Sequence, residues 1–544
     1  MFWTRLHSPF TSKPPHGKEP ANVKTPRATI VRVLLLPAVL TLSAQRLQAQ
    51  TFPTDDPVIQ AMWVEGMGEG SRVHDLAQAL LDSIGPRLMG SPAYSRSADW
   101  LLANYMQWGI DAERQEYGTW LGWDRGFTHI DLLEPRVRTL EGTMMAWSPG
   151  TDGPVEGEVI ALPAFAEAGE FEAWLPSVEG KFVAISFAEP TCREDQSWED
   201  HATPEAFQRM VEARDQARQE WARSYVPAFM RNPGARQLEE AGALGVLTAN
   251  WSAGWGVDKI FAALTEQVPS VHLSCEDYSL LHRLASRGQG PRIRVDARAE
   301  FMGDVPAFNV VATIPGTELP DEYVLLSAHL DSWDGASGAT DNGTGTIMMH
   351  EAMRILKATY PNPRRTIMVG HWGGEEQGLI GSTAFAADNP EVVDGLQASF
   401  NQDNGTWRID FIRMQGFLGA GAHFARWFQV IPPEITGHIE LDIPGIPETG
   451  GSDHMSFICK PAPGFRLQSN YPDYRQYTWH TNRDTFDKIV FDDLRNNATL
   501  AAMLVYAASE DPDRVVVTPR VLPVNPRTGQ PGTWPRCREP RRSR

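Results

Sequence analysis

Apolar positions along the chain recur with two spacings, and the changes between them divide it into segments. Between about Asp56 and Ile84, Val73, Leu76, Leu80 and Leu81 fall at helical spacing, which predicts a helix ended by Gly85-Pro86-Arg87. After the Gly90-Ser91-Pro92 turn a second amphipathic helix is predicted over 95–108, with Trp100, Leu101, Tyr105 and Trp108 on its apolar face. Strand-like residues 128–133 follow. From about 147 to 294 the pattern shortens to strands at 159–162 and 182–185, a charged helix over 204–225, and a helix at 235–242 leading into a strand at 243–247. This reads as a small α/β unit set into the first domain. The strongest signal begins at Phe308. Residues 309–314 and 323–328 are strands, the second a nearly unbroken apolar run of the kind buried on both faces; a helix over 343–357 and a strand at 365–370 come next. Strands alternating with helices predict an α/β fold, a mostly parallel sheet covered on both faces in three layers. The stretch 516–544, rich in proline and arginine, is expected to be loose.

Composition adds boundaries. At 544 residues, 42% hydrophobic and 22% charged, the chain can build a sizeable core and more than one unit. The formal net charge is -19, but residues 1–49 carry a net +6, so the remainder stands at -25. A surface this acidic repels phosphate backbones and argues against nucleic acid as a partner. Residues 1–49 read as an export signal: a basic stretch to Arg32, an apolar run over 33–42 too short to span a bilayer comfortably, then Ala44 and Ala49 before a cut ahead of Gln50. The competing reading is an uncleaved anchor. Cleavage makes the mature chain secreted or periplasmic, with no stable membrane insertion. The four cysteines, Cys192, Cys275, Cys459 and Cys537, form no CxxC or CxH pattern. Export permits disulfides, Cys192 with Cys275 among the pairings; four free or buried thiols is the alternative.

Candidate chemistry gathers in the third segment, at strand ends and adjoining loops, where open α/β sheets bind ligands. The 323–328 strand runs into His329-Leu330-Asp331. Asp341 stands where a loop meets a helix, next to Gly343. The 365–370 strand leads to Glu375-Glu376, another apolar piece ends at Asp403, and His480 lies further on. Zinc takes His nitrogen and carboxylate oxygen, and a two-metal site is served by a bridging carboxylate with further ligands on each side. Asp341 suits the bridge, His329 and Asp403 one metal, Glu376 and His480 the other. Glu375 is left over and suits a general base, and Asp331 could orient the His329 ring.

These residues resemble peptidase family M28, the zinc exopeptidases, and the run His329-Leu330-Asp331-Ser332-Trp333-Asp334 its carboxypeptidase Q branch. His480-Thr481-Asn482-Arg483-Asp484-Thr485 and Gly451-Ser452-Asp453-His454 extend the likeness, and 147–294 is similar to the family's protease-associated insert. The resemblance implies two Zn²⁺ per chain, held by His329, Asp341 and Asp403 and by Asp341, Glu376 and His480, with Glu375 as base. It implies short peptides as substrates and a homodimer. It divides the chain into 50–146 and 295–515 as parts of the catalytic domain, around the insert. Tyr471, Tyr474 and Tyr477 are candidates for assisting the oxyanion, and which peptide terminus is read stays open.

Taken singly, each residue has a plainer reading: Asp-Asn-Gly as a turn, Glu-Glu as a solvated face. Five matching sites in one order favour the metal centre. His350 is expected on a helix surface, His371 in a structural or supporting place, His454 in the cleft or the core, and Trp120 and Trp123 in the core or an interface. A non-catalytic binding protein would show gaps among the ligands, and none is seen. A glutaminyl cyclase on the same scaffold would use one zinc. No Gly-x-Ser-x-Gly elbow supports an esterase.

Overall fold

A strand of 23 residues, Arg292–Ile314, organises the molecule. Its first residues pair antiparallel with Val155–Ala161 and its last five with Arg365–Trp372. One 14-stranded sheet therefore runs through both halves of the computed structural model, which describes residues 55–165, 168–225, 234–524 and 527–544. The expected export signal lies outside these residues.

On one side of the long strand, Arg365–Trp372, Leu319–His329, Leu396–Gln402 and Gly464–Ser469 lie side by side, all parallel. Their carboxyl ends share one edge of the sheet. On the other side Val155–Ala161, Lys181–Ala184, Gly245–Thr248 and Ser270–Leu273 form a second parallel set. Residues alternate across the first set as the pleat requires. Val324 and Leu326 enter one core with Ile347 and Met348 of the helix Thr344–Thr359 and Leu500 and Leu504 of the helix Phe491–Glu510. Leu325 enters the opposite core with Met368, Phe385 and Phe457. This is the three-layer α/β arrangement that the unbroken apolar runs predict.

Several expectations change in detail. The single helix over 56–84 is two: Pro57–Met67, capped by the Asp56 carboxylate on the Val58 N–H at 2.8 Å, and a helical stretch from Val73 to Ile84. Gly68 and Gly70 fall in the break, where a helix gains least from continuing. The helix Pro92–Gln107 starts on Ser91, whose hydroxyl accepts the Tyr94 N–H. Residues 128–133 are only the end of a 24-residue strand, Asp111–Glu134, paired antiparallel with Arg292–Ile314. Its glycines and charges hid the period. Trp120 and Trp123 are buried. His350 is fully buried rather than on a surface, packed against Trp100, Tyr105 and Trp108. The helix Pro92–Gln107 and its cap Trp108 cover the face of its helix that a two-sided reading assigns to solvent.

The cysteines form two disulfides, Cys192–Cys275 and Cys459–Cys537. The second corrects the expectation for 516–544. That stretch is irregular, as its prolines dictate, but it is fastened to the body rather than loose. Among the described residues no helix is long and apolar enough to cross a membrane.

Candidate active site

His329 is the last residue of its strand and is completely buried. Its Nδ1 faces the main-chain oxygen of Asp331 at 2.9 Å, which directs Nε2 outward, past the sheet edge. Nε2 lies 3.5 Å from an oxygen of Asp341 and 3.5 Å from one of Asp403. The other oxygen of Asp341 lies 3.2 Å from Nε2 of His480, which is 2.8 Å from Glu376. Two trios result, His329–Asp341–Asp403 and Asp341–Glu376–His480, each with its ligand atoms within 4.8 Å of one another. They share Asp341. His329 Nε2, Asp341 Oδ2 and Glu376 Oε1 are buried with no hydrogen-bond partner, the condition expected of atoms that a cation would satisfy. The donor set, imidazole and carboxylate, suits zinc.

Main-chain bonds position these groups. The loop carrying Asp341 hangs on Asp484, whose carboxylate accepts the N–H groups of Thr340 at 2.8 Å and Asp341 at 3.0 Å. Asn342 donates to the carbonyl of Gln402, tying that loop to the strand end before Asp403. His480 adopts a left-handed backbone, φ 60°, and its carbonyl is held by the N–H of Ile260 at 3.0 Å. Phe261 and Trp333 pack against its ring. Arg87 is fully buried and donates to the carbonyls of Gly85, Leu330, Ser337 and Gly338, bracing the 330–338 loop from below.

Electrostatics follow from this crowding. Burial pushes the Glu376 carboxyl up to about 7, Asp341 adding to the rise. Burial also pushes Glu375 well above the carboxylate range, with Asp403, Asp453 and Glu376 nearby raising it further against the pull of His329. Asp341 goes the other way: the neighbouring His329 and His480 imidazoles outweigh its burial and hold it well below the usual value. His480, despite burial, is raised to about 9 by Glu376 and Asp341.

All seven residues singled out in the sequence converge here. Asp331 works differently from expected, since its carboxylate is 3.7 Å from His329 Nδ1 and instead accepts main-chain N–H groups of Glu375 and Glu376. The imidazole is oriented by the Asp331 carbonyl. His371 is buried against the Tyr105 hydroxyl at 2.7 Å, a supporting place, and His454 is buried 2.8 Å from Glu448. Of the three tyrosines, Tyr474 lies buried near Asp341, Asp403 and Glu376, whereas the Tyr477 hydroxyl reaches Glu194. Sequence reasoning gave Arg87 no task in the site, placing it in a helix stop and in the stretch that resembles the family's N-terminal region. It also missed the part played by Asp484, visible as a motif residue but without a task.

Residues 309–505 match the profile described as Peptidase family M28, a span that contains both trios and Glu375. The chain carries a peptidase family M28 domain over those residues. It is a metallopeptidase, a hydrolase. Carboxypeptidase Q of Mus musculus is 25% identical to this chain over 445 residues, 80% of this chain and 85% of that one. Carboxypeptidase Q of Bos taurus is 27% identical over 447 residues, 80% and 84% of the two chains. The solved structure of a peptidase M28 precursor from Shewanella amazonensis superposes with a TM-score of 0.61 at 23% identity, covering 84% of this chain and 97% of that one. A zinc aminopeptidase from Bacillus subtilis shares the fold at 0.53 and 18%, covering 80% and 94%.

Proposed function

We propose that this M28 peptidase is an exported two-zinc exopeptidase acting on short peptides, with Glu375 as its general base. The observation that carries the reading is the pair of trios sharing Asp341, with Glu375 beside them and in neither. His329 and Asp403 would hold one ion, Glu376 and His480 the other, and Asp341 both. The chemistry such ions supply when bound is Lewis acidity, which acidifies water and polarises a carbonyl. Glu375 takes a proton from the attacking water onto a carboxylate oxygen and later delivers it to the departing amine nitrogen. Its desolvated setting raises its basicity for that task. Asp331 holds the Glu375 and Glu376 main chain, so base and ligand keep one geometry. We take residues 147–294 to be the protease-associated insert, supported by their separate core of Phe171, Val183, Leu238 and Val246.

Two cations bear on which end of the peptide is read. Lys259, from the insert, places Nζ 4.4 Å from the centre of the Trp479 ring, and the Arg475 guanidinium lies 4.5 Å from the same centre. Burial pushes the Lys259 ammonium down, and Arg475 adds to it. Trp479 stacks on His480 at 3.8 Å between centroids. A partly buried Lys259 ammonium and an exposed Arg475 guanidinium beside an acidic site suit a free carboxylate one residue beyond the scissile bond, which favours carboxypeptidase or dipeptidase action over aminopeptidase action.

The test is metal content of the purified mature chain together with hydrolysis of dipeptides, N-blocked peptides and amino-acid anilides by wild type and Glu375→Gln. Two zincs per chain and loss of activity in the variant with metal retained support the reading. One zinc per chain with cyclisation of N-terminal glutamine points to a glutaminyl cyclase. No bound metal, or a fully active variant, leaves the binding-protein reading.

A further inference from the structure

The turn Gly373–Gly378 carries both Glu375 and Glu376, yet Gly374 and Gly378 adopt positive φ, 74° and 115°. Such a turn has little side-chain packing of its own to hold it. From inside, Asp331 takes its N–H groups and the Tyr117 hydroxyl donates to the Gly373 carbonyl at 2.8 Å. From outside, its carbonyls are taken by two arginines far away in sequence. Arg541 donates to Gln377 O at 2.9 Å and Arg538 to Gly378 O at 2.7 Å.

The segment bearing them is fixed at both ends. Cys537 is bonded to Cys459. Arg542 forms a two-pronged pair with Asp388 at 2.6 and 2.7 Å, and its carbonyl accepts the Thr119 N–H at 2.8 Å. That approach is close enough that a Cβ on Gly118 would lie 2.0 Å from the Arg542 carbonyl oxygen. The Arg541 guanidinium lies over the Trp120 ring at 4.9 Å. A segment with no regular secondary structure is thus pinned by a disulfide, an ion pair and a main-chain bond, with two arginines left to grip the turn.

We propose that residues 536–542 are a disulfide-anchored strap in which Arg538 and Arg541 are positioning residues for Glu375 and Glu376. The proposal rests on Glu375 being the base. Side chains on a turn with two glycines at positive φ are only as well placed as its main chain, and displacement by about 1 Å can cost a reaction about a hundredfold. The strap holds the carbonyls as Asp331 holds the amides, so the turn is gripped on both faces.

The experiment uses the full chain loaded with zinc and compares Arg538→Ala/Arg541→Ala, Arg538→Lys/Arg541→Lys and Cys459→Ser/Cys537→Ser with wild type. For the alanine pair kcat is expected to fall about ten- to a hundredfold with KM within about twofold, and the serine pair to fall in the same direction. Amide hydrogen exchange in peptides spanning 373–380 should speed up in both. The lysine pair, which can still donate to carbonyls, should recover most of the rate. An alanine pair with wild-type kcat and wild-type exchange overturns the strap, as does a kcat loss without faster exchange. If the alanine pair does not fold, the serine pair is read by the same two criteria. Glu375→Gln separates the two ideas: an active Glu375→Gln variant removes the base, whereas an inactive one beside a fully active alanine pair removes the strap alone.

Discussion

The carboxylate of Asp331 accepts the main-chain N–H of Glu375 at 3.1 Å, and its second oxygen accepts that of Glu376 at 3.3 Å. One buried acid just past the end of one strand thereby sets the main chain of the proposed base and of a proposed metal ligand in the turn after the neighbouring strand. Asp331→Ala removes both acceptors. It should lower kcat by about 10- to 100-fold, the usual cost of losing a group that supports a metal site. Zinc content measured beside kcat separates a displaced Glu375 from a lost metal.

Arg87 offers a test of the scaffold. Its guanidinium satisfies four carbonyls around the 330–338 loop in a place with no solvent access. Arg87→Met leaves those carbonyls buried and unpaired and should destabilise the fold by about 3 kcal/mol or more, read from urea unfolding. Arg87→Lys should recover little, because an ammonium cannot span the same fork.

Lys259 offers a test of which end is read. Lys259→Ala should raise KM by about tenfold, the loss of one charge-assisted bond, for peptides with a free C-terminal carboxylate. The same peptides with amidated C-termini should be hydrolysed equally poorly by both enzymes. An equal KM for the free acids would remove the carboxylate contact.

Glu448 offers a test against pH. His454 at 2.8 Å, with Arg466 and Gln415 beyond, overcomes its burial and lowers its carboxyl to about 2. A folded value below the unfolded one stabilises the fold at pH above the unfolded value near 4.5, and that contribution is lost as pH falls toward about 2. The gap in Tm between wild type and Glu448→Gln should therefore be constant from about pH 6 to 5 and close progressively below about pH 4.5. A gap that widens in acid would reverse the assignment.

The parallel strands around the proposed centre, the proposed ligands and their order were legible because each leaves a local mark. A strand buried on both faces must be apolar at every position, as 323–328 is, and a ligand set at strand ends appears as polar residues directly after such runs. The strand Asp111–Glu134 left no such mark. Its partner lies far downstream, Glu134 against Arg292 at their closest, and that pairing rather than side-chain period holds it extended. The strap was masked by its own composition, since proline and arginine signal disorder unless a cysteine finds a partner elsewhere.

By itself the sequence determined the fold class, the family resemblance and the seven residues of the proposed centre, because apolar periodicity and ligand chemistry are properties of short stretches of chain. Only the tertiary structure decided what those residues do to one another. It decided that Asp331 serves Glu375 through its carboxylate and His329 through its carbonyl, that Asp484 and Arg87 hold the loops, that His350 is core, and that Cys459 meets Cys537. Each of these is a contact between atoms distant in sequence or a choice between two acceptors of one residue, and neither is encoded in local pattern.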